Sequence, residues 1–237
     1  YVLTANAPET KDNNFTWKDY QDRNNNELLA IFGNFVNRTL VLTHKYFEGK
    51  VPAMVNLNEK DQAAIEEMNQ YPDKIAHLLD TYKFREALSE LMNLARLGNR
   101  YLTENEPWKQ FKTDPERVKT VLAVSLQIVA KLAILSEPFL PFSAKKLQAM
   151  IGLEVNGWNQ ANETVLLKEE SQIGEVELLF TKVEDETVAA QIKKLEDTKK
   201  QNELNAWAPN PIKPNTNIDE FGKMDIRVGT VLECTKV

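Results

Sequence analysis

Three polar side chains in the first third of the chain, Asn34, Arg38 and Lys45, fall within about 40° of one another when the sequence is projected on a helix. The i, i+4 spacing of Asn34 and Arg38 stacks an amide and a guanidinium on one helix face, pointing the same way. Side by side they form a set of directional donors suited to the edges of nucleic-acid bases, and Lys45 adds a point charge for a phosphate. The plainer alternative is a solvated face opposite the apolar arc of Leu28, Ile31, Phe32, Phe35, Val36, Leu42 and Tyr46. Gly33 stands in mid-helix, where it costs roughly 1 kcal/mol against Ala. Something should therefore approach closely there, either a neighbouring helix or a ligand.

A second candidate is the stretch ENEPWKQFK, residues 104–112. Pro107 cannot sit inside a helix and biases Glu106 away from helical geometry, so Trp108 belongs to a turn where a helix has just ended. A bulky ring on such a turn either plugs the end of a core or is offered to a partner. If offered, it gives an unpaired base a π-face worth about 1–3 kcal/mol, and single-stranded loops are where sequence-specific RNA recognition concentrates.

The elements that must position these residues read as mainly α. Residues 1–15 are a polar lead-in. A helical run covers about 16–48, closed by Gly49 and Pro52, with shorter helices near 58–70 and 72–81. A long helix over 83–103 places Phe84, Ala87, Leu88, Leu91, Met92, Ala95 and Leu102 at core spacing. Another, over 114–136, starts at Asp114-Pro115 and contains the apolar stretch 121–135, too short for a membrane span and interrupted by Lys131. The stretch 135–153 breaks at Pro138 and Pro141 and resumes as a short helix. Alternation within 153–182 predicts a few short strands or extended pieces, and a charged helix follows at 185–204. Three prolines, at 209, 211 and 214, give 205–217 a linker composition. The architecture is an antiparallel helical bundle over 16–152, with a small extended or β appendage and charged helix over 153–204.

Composition bounds the function. The chain has 237 residues, 42% hydrophobic and 27% charged, enough for a globular core. A net charge of −6 argues against coating nucleic acid through bulk electrostatics. That charge is uneven: 163–204 hold 11 acidic and 6 basic side chains, leaving the front of the chain close to neutral. A local nucleic-acid site there must rest on shape and a few basic groups. Cys234 is the sole cysteine, so there is no disulfide framework or thiolate metal cage, which fits a reducing cytoplasm. His44 and His77 have no metal-ligand partner pattern, and no catalytic or metal-binding set is read from this chain. It opens without Met and stops in mid-pattern, so it is expected to be a piece of something longer.

The motifs NNELLAIFGNFVNR (25–38), LMNLARLGNRYLTENEPWK (91–109) and LSEPFLPF (135–142) together resemble the anticodon-binding domain of bacterial methionyl-tRNA synthetases. The opening TANAPETKDNNFTWKDYQDRNNNEL resembles that family's join to its catalytic core, and 218–237 the first strand of its tRNA-binding OB-fold module. The resemblance implies that Asn34 and Arg38 contact the first base of a CAU anticodon and that Trp108, set by Pro107, stacks on it; Lys45 would meet a phosphate. Some members carry Asn one turn before Asn34, where this chain has Ala30, so one donor is missing. HIGH- and KMSKS-type signatures and a zinc knuckle do not occur in the sequence. ATP, and zinc if present, would belong to the catalytic part, and this chain alone would recognise methionine tRNA without doing chemistry. The intact OB-fold module implies a homodimeric parent, and the present piece, with one strand of five, is expected to be mainly monomeric. No membrane partner is expected. Two other readings stay open: a helical protein-interaction scaffold, and the anticodon domain of another class I synthetase.

Overall fold

Side-chain caps open four of the helices. The computed structural model describes residues 1–10, 12–205, 215, 217–225 and 227–234, which divide into two compact units, Tyr1–Lys194 and Leu195–Val237. In chain order the helices are α1 (Val2–Ala5), α2 (Trp17–Arg23), a π-helical segment (Asn24–Gly33), α3 (Asn34–Phe47), α4 (Glu59–Met68), α5 (Tyr71–Asp80) and α6 (Phe84–Asn105). Then come α7 (Pro107–Gln110), α8 (Pro115–Leu135), α9 (Pro141–Ile151), a 3₁₀ turn (Trp158–Asn162), α10 (Asp185–Leu204) and α11 (Ile218–Phe221). Asp114 accepts the Arg117 N–H to open α8, and Asn58 and Asp61 form a reciprocal capping box on α4.

The core is built around α8, which packs against α3, α6 and α9. Its 21 residues are long and apolar enough to cross a bilayer, yet from Val118 to Leu135 all but Lys119 are buried within the bundle. Such an all-round apolar helix is the centre of a core. Lys131 is fully buried there, its ammonium donating to the Ala161 carbonyl at 2.5 Å and the Glu163 carbonyl at 2.8 Å. On α6 the expected core residues from Ala87 to Leu102 are buried, but Phe84 is not: at the first position of the helix it stays 38% exposed, edge-on to Tyr82. Gly98 of α6 lets α3 close in, since a Cβ there would stand 2.3 Å from the Phe35 ring.

Three expectations change. The lead-in contains an element, because Tyr1 and Val2 need cover: α1 packs on α6, and the Tyr1 hydroxyl donates to Glu27. The run expected over 16–48 is helical without a break from Trp17 to Phe47 but widens to π geometry at Asn24–Gly33. Most of all, no β-ladder forms in 153–182; one isolated antiparallel bridge joins Lys50 and Gln172. Side-chain amides of the bundle take the place of neighbouring strands. Gln127 on α8 accepts the N–H groups of Leu166 and Leu167 and donates to the Leu167 carbonyl. Asn25 both donates to the Val183 carbonyl and accepts its N–H, each at 2.9 Å, and Asn24 donates to the Thr181 carbonyl. Backbone groups satisfied this way need no sheet.

In the second unit, Asn217 caps α11 by accepting the Glu220 N–H at 2.8 Å. The expected strand at 224–232 has no β-partner among the described residues, and Val228, Val231 and Leu232 are exposed. Ile226 and most of the proline-rich linker lie outside the described residues.

Candidate nucleic-acid interface

The corner between α6 and α7 decides where Trp108 goes. Proline at 107 disfavours right-handed helical geometry for its predecessor, and Glu106 leaves the helix in a left-handed conformation (φ 38°, ψ 55°). Its N–H still bonds back to the Leu102 carbonyl at 3.0 Å, closing α6, and Pro107 starts the single turn of α7. Pro107 is itself buried. Phe111, at the end of that turn, stacks on Tyr46 of α3 with centroids 4.0 Å apart and meets Phe47 edge-on. The role of plugging the core therefore falls to Pro107 and Phe111. Trp108 is left 37% exposed, with the guanidinium carbon of Arg38 lying 4.8 Å from its ring centroid.

A guanidinium over an indole is a cation–π contact worth about 0.5–1 kcal/mol at such an exposed site. Among the described residues no carboxylate or hydrogen-bond acceptor pairs with Arg38, so its N–H fork is committed to no protein partner. Asn34 is exposed, and its side-chain amide is likewise without a hydrogen bond among the described residues. It shares the face of Arg38 one turn away but does not line the Trp108 side alone. It stands at the rim of a cleft of about 400 Å³ whose lining includes Ala30, Gly33, Asn37, Leu178 and Phe180. Lys45 lies further along the same stripe, exposed, with its ammonium 5.4 Å from the Tyr46 ring. Arg38 and Trp108 are thus brought together, Asn34 links them to the neighbouring cleft, and Lys45 flanks the pair.

The close approach inferred at Gly33 is made within the chain, by the Leu28 carbonyl of the same segment, 3.2 Å from where a Cβ would stand, and by one aromatic ring. The ring is that of Phe180, 3.3 Å from where a Cβ would stand, with Phe180 edge-on to Phe32 at 5.8 Å. Two contributors were not singled out in the sequence: Phe111, whose role rests on a tertiary stack, and the group behind the corner. There Asp61, fully buried, accepts both guanidinium nitrogens of Arg117 and the Tyr101 hydroxyl, while Arg117 also donates at 2.6 Å to Asn105, the last residue of α6. Burial alone would push the Asp61 carboxyl up, but hydrogen bonds from Arg117, Tyr101 and the Asn58 N–H hold it below the usual carboxylate range.

Residues 51–200 match the family model described as the anticodon binding domain of methionyl tRNA ligase, and residues 1–40 match that of class I tRNA synthetases (M). The chain is 58% identical over its full length to a methionine–tRNA ligase of Phocaeicola vulgatus and 56% identical to that of Cytophaga hutchinsonii. It spans 35% and 34% of the length of these curated relatives. In fold it is similar to the apo crystal structure of Mycobacterium tuberculosis methionyl-tRNA synthetase, with a TM-score of 0.73 at 23% identity, over 78% of this chain and 38% of that one. The methionyl-adenylate complex of the same enzyme gives 0.71 at 24% identity, over 76% and 36%. With a mainly helical bundle, an aromatic ring held out at the α6–α7 corner and a family match over most of its length, the chain belongs to the anticodon binding domain family of methionyl tRNA ligase.

Proposed function

We propose that this chain is the part of a methionine–tRNA ligase that reads the CAU anticodon of methionine tRNA, so that the whole enzyme attaches methionine using ATP in the cytoplasm. The observation that carries the reading is the Arg38–Trp108 pair: an exposed ring and an uncommitted guanidinium fork 4.8 Å apart on a rigid corner. An unpaired first anticodon base stacks on the Trp108 face, where such contacts are worth about 1–3 kcal/mol. Arg38 and Asn34 donate to its edge, and Lys45 meets a neighbouring phosphate. Pro107 acts by fixing the corner. The proposed organisation is a lead-in over 1–15, the recognition bundle over 16–152, the appendage and charged helix over 153–204, a linker over 205–217, and from 218 the start of an OB-fold module through which the parent dimerises. ATP, and zinc if the parent holds it, belong to the rest of the enzyme.

The test is binding of the chain at fixed low salt to an RNA stem-loop carrying CAU, against one with the first anticodon base changed. The expected result is a preference for CAU that Trp108→Ala abolishes while the circular dichroism of the bundle stays the same. Equal binding of both loops, or a preference that survives in Trp108→Ala, overturns the assignment.

A further inference from the structure

We infer that the cleft on the other flank of Asn34 is a second nucleobase subsite, taking the base next to the one on Trp108, with Asn37 as its reading group. The inference rests on the anticodon reading above. Asn34 and Asn37 are three residues apart, so their amides emerge about 60° apart on α3, with Arg38 and Trp108 to one side and the cleft to the other. Neither amide has a hydrogen-bond partner among the described residues. The opposite wall is apolar: Leu178, 61% exposed, Leu179, and Phe180, which is clamped against Phe32 and Gly33. The segment carrying that wall is held to the bundle by Asn24 and Asn25 through Thr181 and Val183. The wall is therefore a fixed surface, unlike a passing loop.

Such a cleft matches a splayed-out heterocycle: a flat apolar side to cover its face, and a carboxamide presenting one donor and one acceptor to its edge. Ala30 is what keeps the cleft open. It is exposed on its rim, one turn before Asn34, and a longer side chain at that position would project into the space a base needs. Because an asparagine amide pairs in both directions with the exocyclic amine and ring nitrogen of adenine, the middle base of CAU is the chemical class it fits.

The experiment compares the chain and two variants, Asn37→Ala and Ala30→Leu, with three stem-loops: CAU, one changed at the first base and one changed from adenine to guanine at the middle base. Both positions face open space, so both variants are expected to keep the thermal midpoint of the parent chain. The expected result is about a ten-fold loss of middle-base preference in each variant, with the first-base preference retained. Middle-base preference unchanged in both variants, while Trp108→Ala still removes first-base preference, overturns the cleft assignment and leaves the anticodon reading intact. Absence of any first-base preference in the parent chain overturns the anticodon reading, and the cleft assignment with it.

Discussion

A lysine in place of Arg38 would keep the positive charge over Trp108 but discard the planar fork, and that separates the two things the guanidinium can do. Charge against phosphate is sequence-independent and salt-dependent, whereas the fork addresses a base edge. Arg38→Lys is therefore expected to lose about ten-fold in preference for the CAU loop over the first-base variant, while the slope of log affinity against log salt stays that of the parent chain. An unchanged preference, with the salt slope still that of the parent chain, would assign Arg38 to the backbone, where Lys replaces it as a point charge. At this scale the geometry of the candidate site was legible wherever local rules sufficed. Asn34 and Arg38 lie in regular α-helix, so the i, i+4 argument held, and proline chemistry alone set Trp108 on a turn. Asn37 was not legible, because a lone polar residue three positions from Asn34 reads as solvated face until Leu178 and Phe180 are seen opposite it. Phe111 was hidden for a similar reason, its partner Tyr46 being 65 residues earlier in the sequence.

Among the elements, α4, α6 and α8 meet behind the Trp108 corner through one buried charge. Asp61 on α4 is fully buried, Arg117 on α8 is 16% exposed, and Asn105 ends α6 one residue before the left-handed Glu106. Removing one partner of such a pair leaves the other uncompensated, which costs about 3–5 kcal/mol. Arg117→Met is expected to fall in that range by urea denaturation, and Arg117→Lys, which keeps the charge but not the bidentate fork, to fall between it and the parent. The pair also fixes a pH dependence. The folded Asp61 carboxyl lies below its unfolded value of about 3.9, so its contribution is complete above that value and fades as pH falls through the lower folded one. In Arg117→Met the same carboxyl is buried without its main partner and is pushed up instead, so the gap between parent and variant should be widest at neutral pH and narrow as pH falls, first as the variant's Asp61 takes up its proton and then, below about pH 4, as the parent loses its own contribution; a gap that stays constant down to about pH 3 would rule Asp61 out as the group responsible. The helices themselves were largely legible from caps and periodicity, as Asp114-Pro115 and the Asn58–Asp61 box show. The alternation in 153–182 misled, because hydrogen bonding by Gln127, Asn24 and Asn25 replaces a ladder that only a tertiary structure can supply.

For the molecule as a whole, the appendage stays on the bundle partly through a cation in its core. The Lys131 ammonium reaches from the middle of α8 to the carbonyls of Ala161 on the 3₁₀ turn and of Glu163 just after it, and the Trp158 indole of that turn donates to the Pro72 carbonyl at 3.3 Å. The sequence marked Lys131 only as an interruption of an apolar run; its partners are 30 and 32 residues away and follow from the way the chain folds back. Burial pushes the Lys131 ammonium down to about 8, against the nearby negative charge of Glu163. In the unfolded chain the same group holds its proton to about pH 10.4. Between about pH 8 and that value the folded state binds fewer protons than the unfolded one, so stability rises with pH, by at most about 1.4 kcal/mol per pH unit from this group. Below pH 8 both states carry the proton and the slope from this group vanishes. Lys131→Met removes the titration and leaves two carbonyls without their donor, so the variant should be less stable at pH 7 by about 1–3 kcal/mol. Subtracting its urea-denaturation curve from that of the parent chain at steps between pH 7 and 10 cancels the tyrosines and other lysines common to both. A difference that grows above pH 8 is the expected outcome. A difference that is flat across the whole range would mean that Lys131 gives up no proton on folding, and that the two carbonyls hold its charge in the core as well as water does.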